Sequence, residues 1–205
     1  MIAIVDYGLG NLRSVAGAVR KLNYEPLITA DPAGLEKCEK IIIPGVGAFG
    51  DGIGNLRRLG LADALDRMVL REHKPVLGIC LGSQLMAKES FEFGHHKGLG
   101  WIDASVVKID APGVRIPHVG WNGLIQRKAN MLFDGIPQDA LFYYVHSYHI
   151  RCANPDDVIG ECEYGNRFAA VLNRGNIYAT QFHPEKSQLH GLKMLENFLA
   201  GARHA

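Results

Sequence analysis

Three short apolar runs set the architecture open to this 205-residue chain. Ile2-Ala3-Ile4-Val5, Ile41-Ile42-Ile43 and Val76-Leu77-Gly78-Ile79 carry no polar residue at alternate positions. A strand with one face in water alternates apolar and polar residues, whereas a strand apolar throughout is covered on both faces. Helical patterns lie between these runs. Over Asn11–Leu22, residues Leu12, Val15, Ala16, Val19 and Leu22 fall on one stripe. Leu56–Leu70 reads as a second helix, and another begins at about Ser83. This alternation implies an α/β fold with a mainly parallel central sheet flanked by helices.

The second half has a different rhythm. Short β runs at Ala104–Ile109, Leu141–Val145, Val158–Glu163, Phe168–Leu172 and Ile177–Phe182 are punctuated by Gly, Asn and Pro. They suggest an antiparallel β extension packed beside the parallel sheet. Ser187–Leu199 reads as a closing helix with Ser187 as N-cap. No repeat or linker divides the chain, and its length suits one domain over residues 1–205.

Charge narrows the choice of partners. Lysine plus arginine number 22 against 21 acids, a net +1, which gives no electrostatic case for nucleic acid or an anionic membrane. Arg57-Arg58 reads as a solvated helix face. No basic leader with a long apolar segment precedes the first strand. Cys38, Cys80, Cys152 and Cys162 form no C-x-x-C pair, and a domain this size needs no disulfide, so a reducing, cytoplasmic setting is expected. Cys38 falls in a charged, surface-like stretch, and Cys152 and Cys162 read as gap-fillers around strands.

The chemistry concentrates at Gly78-Ile-Cys80-Leu-Gly82. An apolar strand runs into a cysteine flanked two residues either side by glycine, and a helical pattern follows. That is a nucleophile elbow with cysteine in place of serine. A Cβ at either glycine would collide with the adjoining strand and helix. The turn lifts the sulfur above the carboxyl ends of the strands, where open α/β sheets bind ligands.

A thiolate nucleophile needs a histidine beside it. His183 ends the Ile177–Phe182 strand, and Pro184 favours an extended conformation there. Residues two apart on an extended segment point the same way, so Glu185 can reach the ring and hold its tautomer. The other histidines are weaker candidates: His95-His96 sit in a polar, Gly-rich loop, His118 in a Pro-rich connection, and His146 and His149 flank Ser147-Tyr148 as site-wall candidates. No clean metal-ligand spacing occurs, and no metal or cofactor is expected. Attack on a carboxamide creates an oxyanion that needs backbone N–H donors. Leu81, directly after the nucleophile, is one. Val46, between Gly45 and Gly47 at the end of the Ile41–Ile43 strand, is the other. Tyr7-Gly-x-Gly-Asn11 could mimic a dinucleotide loop, but Arg13 stands at its third glycine position.

Pro44-Gly-Val-Gly47, Gly78-Ile-Cys-Leu-Gly82 and His183-Pro-Glu185, in that order, resemble the class I glutamine amidotransferases over nearly the whole chain. Asp6-Tyr-Gly-Leu-Gly-Asn11 and Pro117-His-Val-Gly-Trp-Asn122 are similar to the subfamily of glutaminase subunits that serve imidazole glycerol phosphate synthases in histidine biosynthesis. The resemblance implies glutamine hydrolysis through a Cys80 thioester with Cys80, His183 and Glu185 as the triad. It implies glutamine contacts at Gly47, Gln84, Ser147 and Tyr148. It also implies a heterodimer with a cyclase subunit, a (β/α)8 barrel, through Asn11, Trp121, Asn122, Tyr143 and Lys186. Three other readings compete: the glutaminase of pyridoxal phosphate synthesis, a stand-alone γ-glutamyl or thioester hydrolase, and a regulatory binding module that keeps the fold without the chemistry.

Overall fold

In the computed structural model, which describes residues 1–201, the three apolar runs sit side by side at the centre of one eight-stranded sheet. The first half comprises β1 (Ile2–Val5), α1 (Leu12–Lys21), β2 (Pro26–Thr29), α2 (Pro32–Glu36), β3 (Lys40–Ile43), α3 (Phe49–Arg58), α4 (Leu61–Asp66), β4 (Val76–Ile79) and α5 (Leu81–Leu85). The second half comprises β5 (Ala87–Ser90), β6 (His96–Lys97), β7 (Ile102–Lys108), β8 (His118–Gly123), β9 (Ile125–Gln126), β10 (Leu141–His146), β11 (Tyr148–Cys152), β12 (Val158–Tyr164), β13 (Asn166–Arg174), β14 (Ile177–Thr180) and α6 (Gln188–Gly201).

The large sheet has the order β2-β1-β3-β4-β14-β13-β12-β9. Its strands are parallel from β2 through β14 and antiparallel from β14 onward. Alternate residues of the buried strands feed two cores. Ile2, Ile4, Ile42, Leu77 and Ile79 pack with Val15, Val19, Leu195 and Phe198 on one face. Ala3, Val5, Ile41, Ile43 and Val76 pack with Ile53, Leu56, Leu65 and Met68 on the other. Cover on both faces is what the unbroken apolar runs require.

The architecture is the expected one, with local departures. The antiparallel part is continuous with the parallel sheet through β13, β12 and β9, and β14 itself runs parallel to β4. The remaining strands form two further sheets, β8–β10 and β11-β7-β5-β6. The helix expected over Leu56–Leu70 is α3, which starts earlier at Phe49, then α4, then a π-helical turn at Arg67–Arg71. Gly60 at φ 68° breaks it, a left-handed conformation that ends one helix and admits the next. The helix expected from Ser83 starts two residues sooner, at Leu81. Cys38 is buried rather than surface-like, and His118 opens β8 instead of lying in a connection. Ser187 precedes α6, but its hydroxyl donates to the His183 carbonyl and accepts from the Tyr143 N–H (2.9 Å), so it ties β10 to the segment before the helix. No helix among the described residues is long and apolar enough to cross a membrane.

Candidate active site

Cys80 stands directly after β4 at φ 53°, a conformation non-glycine residues adopt at a cost of about 1–3 kcal/mol. Its neighbours explain the glycines. A Cβ on Gly82 would overlap the Ile43 carbonyl oxygen, and one on Gly78 would lie 2.7 Å from the Ser83 Cα. The elbow therefore fits only because β4 meets α5 with hydrogen atoms at both positions. The Cys80 N–H donates to the Thr180 carbonyl of β14 at 2.8 Å, and Gln181 Nε2 approaches the sulfur at 3.8 Å. α5 has only five residues, so any help to a thiolate comes from its first-turn N–H groups and not from a long helix dipole.

His183 and Glu185 meet as expected, by a different local path. Pro184–Lys186 forms a 3-10 turn, and His183 alone is extended. The turn brings Glu185 Oε1 to 2.8 Å from His183 Nδ1, with both side chains buried. Nδ1 thus carries the hydrogen, and Nε2, which has no hydrogen-bond partner, is left for the reacting atoms. Burial opposes a charge on this ring. Contact with Cys80 and the Glu185 carboxylate outweighs it, and the His183 pKa is pushed up to about 9. No hydrogen bond closes between Nε2 and the sulfur in this pose, yet the sulfur is near enough that its thiolate form favours the imidazolium. A thiolate at Cys80 thus favours a proton on His183, where a leaving group can take it.

The two expected oxyanion donors do not converge. The Leu81 N–H points at the Gly45 carbonyl, 3.4 Å away. The Gly45 C=O and the Val46 N–H belong to one planar trans peptide and face opposite ways. The Val46 N–H is therefore turned away from the elbow. Tyr7, fully buried, donates its hydroxyl to the Pro44 carbonyl at 2.7 Å and anchors the segment just before this peptide. A Cβ on Gly45 would overlap that hydroxyl, which accounts for the glycine.

In front of the sulfur lies a cleft of about 300 Å³. The expected Gly47, Gln84, Ser147 and Tyr148 all line it, together with Val46, Cys80 and Leu81. Gln84 Nε2 donates to the Tyr148 carbonyl at 2.9 Å. His146, a site-wall candidate, lines it too, whereas His149 does not; Glu92, Pro117 and Val145 also line the cleft and were not expected there. Glu92 is buried, and one of its oxygens accepts from the Phe49 N–H at 2.7 Å. It sits between β5 and β6, strands too short to show a pattern, and no spacing links it to Cys80.

Of the other expected residues, Trp121, Asn122, Tyr143 and Lys186 lie on β8, β10 and the 3-10 turn. Trp121 and Tyr143 pack edge to face with centroids 6.0 Å apart, and Lys186 Nζ lies 5.9 Å from the Tyr143 ring. Trp121 is exposed, as is Val119 two residues before it. Asn122 points inward, donating to the Glu163 carbonyl at 3.0 Å, so it does not share their outer face. Asn11 caps α1, accepting from the Ser14 N–H at 3.4 Å.

Known proteins resemble the chain along nearly all of its length. The family model described as glutamine amidotransferase class-I matches residues 3–202. Imidazole glycerol phosphate synthase subunit HisH 2 of Methanococcus maripaludis is 43% identical, across 98% of this chain and 100% of that protein. Imidazole glycerol phosphate synthase subunit HisH 1 of Campylobacter jejuni is 46% identical, across 97% of this chain and 98% of that protein. Among solved structures, one described as a crystal structure of glutamine amidotransferase superimposes with a TM-score of 0.77 at 21% identity, covering 97% of both chains. The structure of PurLQS from Thermotoga maritima does so with a TM-score of 0.76 at 20% identity, covering 97% of this chain and 96% of that one. At those identities the two structures speak for the fold.

Proposed function

The chain belongs to the class I glutamine amidotransferase family, and we propose that it hydrolyses glutamine at Cys80 and passes the ammonia to a cyclase partner. Its function is that of the glutaminase subunit of an imidazole glycerol phosphate synthase, a complex made with a second subunit; relatives of that name are 40–46% identical over 97–98% of this chain. The placement of Cys80 carries the chemical reading. It stands at positive φ on a glycine-walled elbow, with the His183–Glu185 pair behind it and an amino-acid-sized cleft in front.

Glutamine enters with its side-chain amide over the sulfur. Glu92 supplies a buried carboxylate for the α-ammonium, and Gly47, Gln84, Ser147 and Tyr148 form the walls. The thiolate attacks the carboxamide carbon. His183 donates its proton to the nitrogen, the C–N bond breaks, and ammonia leaves a γ-glutamyl thioester. His183 then takes a proton from water, which attacks the thioester carbon; the C–S bond breaks and glutamate departs. Glu185 holds the ring in the tautomer both steps need.

The resting pose of the Gly45–Val46 peptide acts as a switch. While the Gly45 carbonyl occupies the Leu81 N–H, the oxyanion lacks its donors, and losing even one costs about 10²–10³ in rate. Turning that single peptide over frees the Leu81 N–H and aims the Val46 N–H at the same point. A partner that favours the turned state couples hydrolysis to its own demand for ammonia. The resting pose weighs against a stand-alone hydrolase. In this reading the partner is a (β/α)8-barrel cyclase docking at Asn11, Trp121, Tyr143 and Lys186, with Asn122 behind that face, and the complex works in the cytoplasm in histidine biosynthesis. Glutamate release by the isolated chain, by the complex, and by the complex with its acceptor nucleotide tests this. Rates should rise by orders of magnitude along that series; full activity in the isolated chain would refute the coupling.

A further inference from the structure

Two histidines outside the triad are buried in contact with each other. His118 and His146 face across the β8–β10 pair, directly opposite in register, and are 2% and 6% exposed. Their hydrogen bonds have one consistent direction. His146 Nδ1 lies 2.8 Å from the Tyr148 carbonyl, which can only accept, so Nδ1 carries the hydrogen. In a neutral ring Nε2 is then an acceptor, and His118 Nδ1, 3.0 Å away, must donate to it. His118 Nε2 is left to accept, and Asn122 Nδ2 faces it at 3.5 Å. The donors run from Asn122 through His118 and His146 to Tyr148. Stacking of His118 between Tyr144 (4.8 Å, 23°) and Tyr164 (3.9 Å, 20°) keeps that ring from turning. Burial lowers the pKa of His118 to about 4 and, with neighbouring histidines adding to it, that of His146 to about 3, so both rings stay neutral as the chain of donors demands.

The two ends of this chain lie in different places. At the inner end, His146, Ser147 and Tyr148 line the cleft, and the Tyr148 carbonyl is shared by His146 and Gln84. At the outer end, Asn122 belongs to the strand whose other face exposes Val119 and Trp121. We infer that His118 and His146 are positioning residues of the glutaminase site: acting in series, they hold the Ser147–Tyr148 wall in its glutamine-binding pose and tie that wall to β8. The inference rests on the functional reading above and adds to it two residues that touch neither the sulfur nor the triad through any hydrogen bond.

The test uses the synthase complex and compares glutamine-driven with ammonia-driven synthesis. His146→Leu keeps an apolar group of similar size and removes the donor to Tyr148. It should raise KM for glutamine about tenfold, the scale of one buried hydrogen bond, while kcat stays within about threefold and ammonia-driven synthesis is preserved. His146→Asn, whose Nδ2 can reach where Nδ1 stood, should recover most of the loss. His118→Leu should give a smaller KM rise. The double Leu variant should be no worse than His146→Leu alone, because links in series do not add. Unchanged KM in His146→Leu with ammonia-driven synthesis intact would overturn the inference, as would strictly additive effects. If His146→Leu loses both activities, His118→Leu and His146→Asn decide on the same KM readout. A wild-type complex that uses ammonia but never glutamine would instead refute the functional reading, and the inference with it.

Discussion

Replacing Val46 by glycine tests why the oxyanion peptide rests with its N–H turned away. A flip of the Gly45–Val46 peptide rotates ψ of Gly45 and φ of Val46 by about 180°. Val46 is not among the residues at positive φ, so the flip carries it from negative to positive φ. For a β-branched residue that region costs about 1–3 kcal/mol. At about 1.4 kcal/mol per factor of ten, this cost alone holds the turned state about 5- to 150-fold below the resting one. Glycine bears no such cost. Val46 is 39% exposed, so its removal takes little packing with it. Val46→Gly should therefore raise glutamate release by the isolated chain at saturating glutamine by about 5- to 150-fold and shrink the stimulation given by the partner. Steady-state rates for both chains, alone and in complex, read this directly. A variant with an unchanged melting temperature and an isolated rate at or below wild type would refute the idea that Val46 backbone strain holds the site off.

Four other outcomes follow from the geometry. Glu185→Gln removes the charge that supports His183 and should lower glutamine turnover by about 10²–10⁴-fold in steady-state assays, with a near-normal melt. The raised pKa of His183 contributes stability that is complete below pH 6.5 and is lost as pH rises through about 9, so urea midpoints should fall over that window and fall less in Glu185→Gln. The lowered pKa values of His118 and His146 work in the opposite sense: stability is complete above pH 6.5 and declines towards pH 4 and 3, by up to about 1.4 kcal/mol per ring per pH unit, which urea titrations between pH 7 and 4 will show. Glu92→Gln should raise KM for glutamine about tenfold or more in the complex while ammonia-driven synthesis is unaffected.

The parts of the molecule legible in the sequence are those where local chemistry and burial agree. Ile2–Val5, Ile41–Ile43 and Val76–Ile79 are apolar on both faces because both faces are covered. Gly78 and Gly82 announce the elbow because backbone atoms occupy the space their side chains would need. Other elements draw their stability from tertiary neighbours and leave little local signal. β2 begins with a proline, tolerable because it is the sheet's edge strand, and its residues are only half-buried or exposed. β8 contains Gly120, Asn122 and Gly123, poor strand formers held by pairing with β10. The Leu56–Leu70 pattern kept its apolar period across Gly60, so the break was hidden in the periodicity. His183 and Glu185 were paired correctly by their spacing but through the wrong conformation, since the proline between them opens a 3-10 turn. Glu92 and the His118–His146 contact depend on segments far apart in the chain, and no local pattern marks them.

In the proposed function Cys80 makes ammonia from glutamine for use by a partner. The most direct measurement is the Cys80→Ala variant assembled with its cyclase, assayed once with glutamine and once with an ammonium salt. Glutamine-driven synthesis should be absent and ammonia-driven synthesis should match wild type. Substantial glutamine-driven synthesis by Cys80→Ala would contradict that function.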